Sequence, residues 1–297
     1  MTSSIPSPTG RERAGAPRPF RFGVVAAQAR SGEAWAATAR RAEELGFSTL
    51  LVPDTVGPTL SPFVALAHAA ASTSRLRVGT YVLAADFRNP VLVAREAATL
   101  DLLSGGRVEL GLGAGRPNAG ADYERLGIPF DRGGARVDRL AAALAVISAQ
   151  LEGDTYPRPL QQPRPPLLVA AAGPRLLALA GREADIVAIA GRPDEPESAV
   201  AERIARVRAA APQRDVELNL NLAAVGVELD AGARAHLGGV TLEELERVGS
   251  VAVLLGSPER MAEELLRRRE VLGISYVTAS AAQMDALGPL VERLTGR

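Results

Sequence analysis

The chain has 297 residues with 34 basic and 34 acidic side chains, so it carries no overall positive field that would draw it to nucleic acid or anionic lipid. It contains no Cys and no Lys, which excludes disulfides, thiolate nucleophiles, iron–sulfur clusters, a pyridoxal Schiff base and a P-loop lysine. The only imidazoles are His68 and His236, whose spacing fits no zinc motif, so no metal site is expected.

Apolar residues make up 47% of the chain and aromatics 4%, so a core must be built mainly from Ala, Val and Leu. Met1–Arg18 mixes Ser, Pro, Gly and Arg without the apolar stretch of a signal peptide. No other run approaches the roughly 20 apolar residues of a membrane span. The expectation is a disordered tail over 1–18 and one cytoplasmic domain over 19–297.

From Phe20 onward, short β-rich runs alternate with longer helical patterns, the signature of βα units around a parallel sheet. Phe20–Ala27 reads as the first strand, followed by a helix over Glu33–Leu45 that Gly46 stops. Thr49–Pro53 is the second strand, and Ser61-Pro62 opens the next helix with a capping hydroxyl and Pro at its first position. Arg75–Leu83 is the third strand, Asn89-Pro90 starts a helix closed by Ser104-Gly105-Gly106, and Arg107–Gly113 is the fourth. A helix over Arg132–Leu151 and a Pro-rich connector, Tyr156–Pro166, lead to the strands Leu167–Ala172, Ile186–Ala190, Val216–Val227 and Ile274–Ser280. Val251–Leu255 would make a ninth strand and is read as an extension. Thr241 and Glu244 have capping-box spacing, which places a short inserted helix in the seventh βα connection, where it can cover the barrel mouth. The pattern is that of a (β/α)8 TIM barrel.

In such a barrel the chemistry sits at the C-terminal strand ends. Asp54 follows Leu50-Leu51-Val52-Pro53 and is either a rim acceptor for a ring NH or hydroxyl, or a loop cap. The third strand has a long, mixed exit from Gly79 to Pro90, which implies a bend. The fourth ends Gly111-Leu112-Gly113-Ala114-Gly115-Arg116, whose glycines serve either close ligand approach or tight packing. Gly173-Pro174-Arg175 begins a helix whose free N–H groups suit an anion, although an ordinary helix start reads the same. Together these features describe a pocket for a phosphorylated cofactor.

Three stretches carry a resemblance: Leu51–Asp54, the long run Phe87–Arg107, and Gly273-Ile274-Ser275-Tyr276-Val277. Through them the chain resembles the luciferase-like superfamily over nearly everything after the tail, and within it the actinobacterial branch that uses the deazaflavin coenzyme F420. The resemblance implies that Asp54 contacts the deazaflavin ring and that Ala114 and Gly115 border it through backbone. Gly173, Pro174, Leu176 and Leu177 match the loop and helix start that receive phosphate and ribityl chain. It also implies a non-proline cis peptide between Tyr81 and Val82, in a bulge beneath the ring. Ala84 stands where the family has a cofactor-binding hydroxyl.

The chain departs from the family at two proton-transfer positions. Thr55 replaces the histidine after the rim Asp, and Arg116 replaces the glutamate of the sugar-phosphate dehydrogenases; neither side chain serves as a general acid near neutral pH. The resemblance therefore implies an F420H2-dependent reductase that delivers hydride to a conjugated C=C or C=N bond of a small molecule. The proton would come from solvent, Tyr81 or Asp86, and Arg116 either pairs with a substrate carboxylate or makes a surface ion pair. The alternatives are an FMN-dependent monooxygenase using dioxygen and a non-catalytic flavin-binding barrel. A homodimer is expected by analogy.

Overall fold

The computed structural model describes residues 17–57, 59–154, 156–226, 237 and 239–297. Its strands are short and mostly buried because parallel sheets are covered on both faces. In chain order they are β1 (Arg21–Val25), β2 (Thr49–Val52), β3 (Arg77–Thr80), β4 (Leu83–Ala84), β5 (Val108–Gly113), β6 (Leu167–Ala171), β7 (Ile186–Ile189), β8 (Glu217–Asn221), β9 (Ala224–Gly226), β10 (Val253–Leu255) and β11 (Ile274–Ser280). The sheet order is β3-β2-β1-β11-β8-β7-β6-β5-β4, and pairing of β3 with β5 closes the ring. β3 and β4 share one position, so the barrel has the eight expected.

The helices needed below are α1 (Gly32–Glu44), α2 (Pro62–Ala71), α3 (Pro90–Ser104), α4 (Gly120–Leu126), α5 (Gly133–Glu152), α6 (Pro174–Glu183) and α7 (Glu197–Ala210). Their ends follow local chemistry. Asn89 caps α3 by accepting from the Val91 N–H at 2.9 Å, Pro90 occupies its first turn, and Gly105 ends it at φ 73°. The sequence reading contains no α4; it is a short turn of helix in the connection from β5.

Two strand expectations need correction. The third strand is not continuous over Arg75–Leu83: it stops at Thr80, crosses the cis Tyr81–Val82 bond and resumes as β4 beside β5. The seventh is likewise divided, with β8 in the barrel and β9 leaving it; Val227 lies outside the described residues. β9 pairs in parallel with β10, Ala224 opposite Val253, so Val251–Leu255 contributes to a two-stranded ribbon outside the barrel rather than extending it. The predicted helix between them is present at Leu242–Arg247, and both halves of its capping box form: Thr241 Oγ1 accepts from the Glu244 N–H at 3.2 Å, and the Thr241 N–H donates to Glu244 Oε2 at 2.9 Å. Leu245 packs with Ala223, Leu237 and Val253 in a cluster separate from the main core.

The N-terminal end of the barrel is closed by a charged plug. Glu109, 2% exposed, accepts from Arg21 and Arg77 at 2.7 Å each, while Arg21 also pairs with Glu217 at 2.7 Å and lies 3.5 Å from the centre of the Tyr276 ring. Burial alone would raise the Glu109 carboxyl; the two guanidiniums outweigh it and hold it below the ordinary carboxylate range. Of the expected tail, residues 1–16 lie outside the described residues. Arg18 belongs to the fold, donating to both Asp215 Oδ2 and the Asp215 carbonyl at 2.8 Å. Among the described residues, no helix is long and apolar enough to cross a membrane, and no group of three His, Asp or Glu is placed to hold a metal.

Candidate active site

The opposite, C-terminal end of the barrel opens into a cavity of about 660 Å3. Its walls come from the segments that leave β2, β3, β5, β6 and β7, and much of the surface is small apolar side chain: Ala84, Ala114, Ala170, Ala172 and Ala190. Of the residues predicted for the site, Asp54, Tyr81, Val82, Ala84, Ala114, Gly115, Arg116, Gly173, Pro174 and Leu176 all line this cavity.

Two predicted residues do not. Leu177 is 1% exposed and packs in the main core, because one residue along a helix turns the side chain by about 100° and carries it from the cavity face to the barrel face. Asp86 lies behind the wall. Its carboxylate accepts from Tyr123 Oη at 2.8 Å and from Arg139 Nε and Nη2 at 2.8 and 2.9 Å. Burial pushes the Asp86 carboxyl up, but those hydrogen bonds prevail and hold it below its ordinary value, so it stays ionised and does not serve as a proton donor. The inserted ribbon and helix after β8 also fall short of the expectation: among their described residues, none lines the cavity.

The floor is formed by the bulge between β3 and β4. Its seat on β5 requires glycine: a Cβ on Gly111 would stand 2.1 Å from the Thr80 carbonyl oxygen, and one on Gly113 would stand 2.8 Å from a Val82 methyl. These two glycines therefore serve packing of the bulge. The Tyr81 hydroxyl donates to Asn219 Oδ1 at 2.6 Å, with Asn219 fully buried. Burial raises the phenol to about 12. With its proton directed to Asn219, Tyr81 does not supply one to the cavity; its ring is part of the floor.

Three residues important to the site are absent from the sequence prediction. Arg88 forms a two-pronged ion pair with Asp54, donating from Nη1 to Oδ2 and from Nη2 to Oδ1 at 3.0 Å, and the Asp54 side chain is 5% exposed. Asp54 thus faces the cavity already neutralised. Asn219 fixes the Tyr81 hydroxyl from the middle of a strand, with no motif around it. Arg136, in the first turn of α5, lines the cavity although only 7% exposed. Inside a helical pattern it reads as a surface residue, and the adjoining Gly133-Gly134 was the available signal.

Arg116 is 60% exposed along its side chain and pairs with Asp122 at 3.2 Å, which fits the surface ion pair left open in the sequence reading. Thr55 also lines the cavity, with its hydroxyl 3.1 Å from that of Thr59. The two carboxylates of the lining, Asp54 and Asp122, are therefore both held by arginines. His68 lies exposed in the last turn of α2, outside the lining. What the walls offer is a largely apolar lining, backbone N–H groups at the uncapped start of α6, and fixed charge at the rim.

Residues 19–231 match the family model for luciferase-like monooxygenases. An F420-dependent glucose-6-phosphate dehydrogenase of Beutenbergia cavernae is 36% identical over 167 residues, 48% of each chain. The oxygenase component of a flavin-dependent trigonelline monooxygenase of Acinetobacter baylyi is 34% identical over 134 residues, 40% of this chain and 36% of that one. A solved F420-dependent secondary alcohol dehydrogenase superposes with a TM-score of 0.75 over 93% of this chain and 99% of that one, and at 19% identity the likeness speaks for architecture alone. The barrel, the rim cavity and a family match spanning most of the chain lead to one conclusion: this protein belongs to the luciferase-like monooxygenase family of oxidoreductases.

Proposed function

We propose that the chain is an F420H2-dependent reductase that delivers hydride to a conjugated C=C or C=N bond of a small molecule. One observation carries this reading: the cavity has room and a largely apolar lining for a ring cofactor, yet each acid in that lining is already paired with an arginine. A protein with that lining binds and orients, and leaves redox chemistry to the cofactor. The residues present fit a phosphorylated deazaflavin: Asp54 and the Ala84 and Ala114 backbone would border the ring, and the first turn of α6, after Gly173-Pro174, would offer the Arg175 and Leu176 N–H groups to its phosphate. When bound, the cofactor supplies the hydride. The floor of Tyr81 and Val82 supports one ring face, the alanine walls exclude water from it, and the proton for the reduced substrate comes from solvent at the open rim. The F420-dependent relative at 36% identity supports the cofactor class.

The relative that is a flavin-dependent oxygenase supports a second reading, an FMN-dependent monooxygenase using dioxygen. Anaerobic incubation with reduced F420 and a panel of enones and cyclic imines separates the two. Oxidation of the cofactor coupled to loss of the C=C or C=N bond is the expected result; activity confined to reduced FMN with oxygen would replace the reductase reading. Tight cofactor binding without turnover under either condition would favour a non-catalytic barrel. A homodimer belongs to the same proposal, since Val64, Leu92 and Leu103 are 72%, 54% and 76% exposed and give α2 and α3 an apolar outer face. Sedimentation at micromolar concentration would show twice the chain mass, and a monomer would remove it.

A further inference from the structure

Each acid in or behind the described lining is committed. Asp54 is paired with Arg88 and Asp122 with Arg116, the Asp86 carboxylate accepts from Tyr123 and Arg139, and the Tyr81 hydrogen goes to Asn219. The other guanidiniums of the lining are engaged too: Arg175 with Asp138 at 2.6 Å, and Arg136 with Tyr123, Asp86 and the Arg116 carbonyl.

Thr55 is the exception, and hydrogen-bond accounting shows what it has left. Thr59 Oγ1 donates to the Thr55 carbonyl at 2.8 Å, and a hydroxyl has one hydrogen. In the 3.1 Å contact between the two hydroxyls, Thr55 is therefore the donor and Thr59 the acceptor. That uses the single hydrogen of the Thr55 hydroxyl and leaves lone pairs that meet no donor among the described residues. Thr55 is half-buried and lines the cavity, so what it offers a ligand is an uncharged acceptor. The turn that carries it is pinned: the Thr59 N–H donates to the Gly57 carbonyl at 2.9 Å, the Leu60 N–H to the Ala27 carbonyl at 2.9 Å, and Arg125 Nη1 to the Val56 carbonyl at 2.8 Å.

The two bond types open to a reductase at this site differ in these respects. Hydride added to the β-carbon of an enone leaves an enolate that must take a proton at carbon, and the enone presents an oxygen acceptor but no donor. A protonated imine takes its proton from solvent before it binds. Hydride then forms the new C–H bond, the π pair becomes the nitrogen lone pair, the N–H stays in place, and the proton released by the oxidised cofactor leaves through the open rim. No acid in the wall is required, and the N–H is a charge-assisted donor for an acceptor such as Thr55 Oγ1.

We propose that the substrate is a protonated imine rather than an enone, and that Thr55 selects it by accepting its N–H. This rests on the reading of the cavity as a reductase site.

The test uses the full chain and two probes: dihydroisoquinoline, at a pH where its nitrogen is protonated, and its N-methyl iminium salt, which keeps the charge and lacks the N–H. Affinity is measured first without cofactor, by calorimetry, for wild type, Thr55→Val and Thr55→Ser. The wild type is expected to bind the N–H probe about tenfold or more tightly than the N-methyl probe. Thr55→Val keeps the shape without the acceptor and should erase that difference by weakening the N–H probe alone, while Thr55→Ser should keep it. A wild type without the preference, or a preference that survives in Thr55→Val and so reflects the bulk of the methyl group, overturns the proposal. Turnover is then followed anaerobically with reduced F420, with the N–H probe reduced and cyclohexenone left unreduced. Reduction of the enone at comparable kcat/KM, indifferent to Thr55→Val, would overturn the imine assignment and leave the reductase reading standing. A binding preference that Thr55→Val erases, without turnover of either compound by reduced F420, supports the role of Thr55 and counts against the cofactor instead.

Discussion

Removal of Arg88 should damage the protein more than removal of the acid it serves. Asp54 has 5% of its side chain exposed and Arg88 has 27%, so the pair is asymmetric. Arg88→Met leaves a nearly buried carboxylate with only the Ala84 N–H at 3.4 Å as a partner. Breaking a fully buried pair costs about 3–5 kcal/mol, and the partial exposure of Arg88 brings the expectation to about 2–3 kcal/mol. At about 2–4 °C per kcal/mol for a domain of this size, that is a fall in Tm of about 4–12 °C. Asp54→Asn leaves an arginine that can turn towards water, at about 1 kcal/mol or less. Cofactor affinity should show the reverse order. Asp54→Ala deletes the acceptor proposed to face the cofactor ring and is expected to weaken deazaflavin binding about tenfold or more, read by cofactor fluorescence. If Arg88→Met melts within a degree of wild type, or if Asp54→Asn is the less stable variant, the burial argument for this pair is refuted.

Two further expectations follow from the floor and the plug. Tyr81→Phe removes a hydroxyl that donates to buried Asn219 rather than into the cavity, so it should lower stability by about 1–2 kcal/mol while leaving kcat within about threefold; a collapse of kcat at unchanged KM would instead make the phenol a proton donor. Glu109 has a folded-state pKa below its unfolded value, so its contribution is present above pH ~4.5 and is lost as pH falls through the folded value; Glu109→Gln should flatten that acid limb and, by leaving Arg21 and Arg77 without their shared carboxylate, cost about 3–5 kcal/mol by denaturant titration.

The barrel was legible in the sequence because its signals are local. Caps such as Asn89-Pro90, stops such as Gly105 and the capping box at Thr241 and Glu244 act within a few residues, and each appears in the structure where the sequence places it. The rim was legible for a related reason: residues that directly follow a strand must emerge at its C-terminal end, which puts Asp54, Ala114 and Gly173 around one cavity. Pairing across the barrel is not local. Arg88 reaches Asp54 over 34 residues, and Tyr81 reaches Asn219 over 138. Nothing at either end of such a pair records the other. Asp86 shows the converse error, since its place beside the bulge suggested chemistry while its partners, Tyr123 and Arg139, come from the connection after β5 and from α5.

The choice between deazaflavin and flavin is the central claim, and a parallel fluorescence titration of the purified chain with F420 and with FMN, in the same buffer, tests it most directly. The account predicts saturable binding of F420 at concentrations well below those needed for FMN. Preference for FMN would contradict it and move oxygen-dependent chemistry to first place.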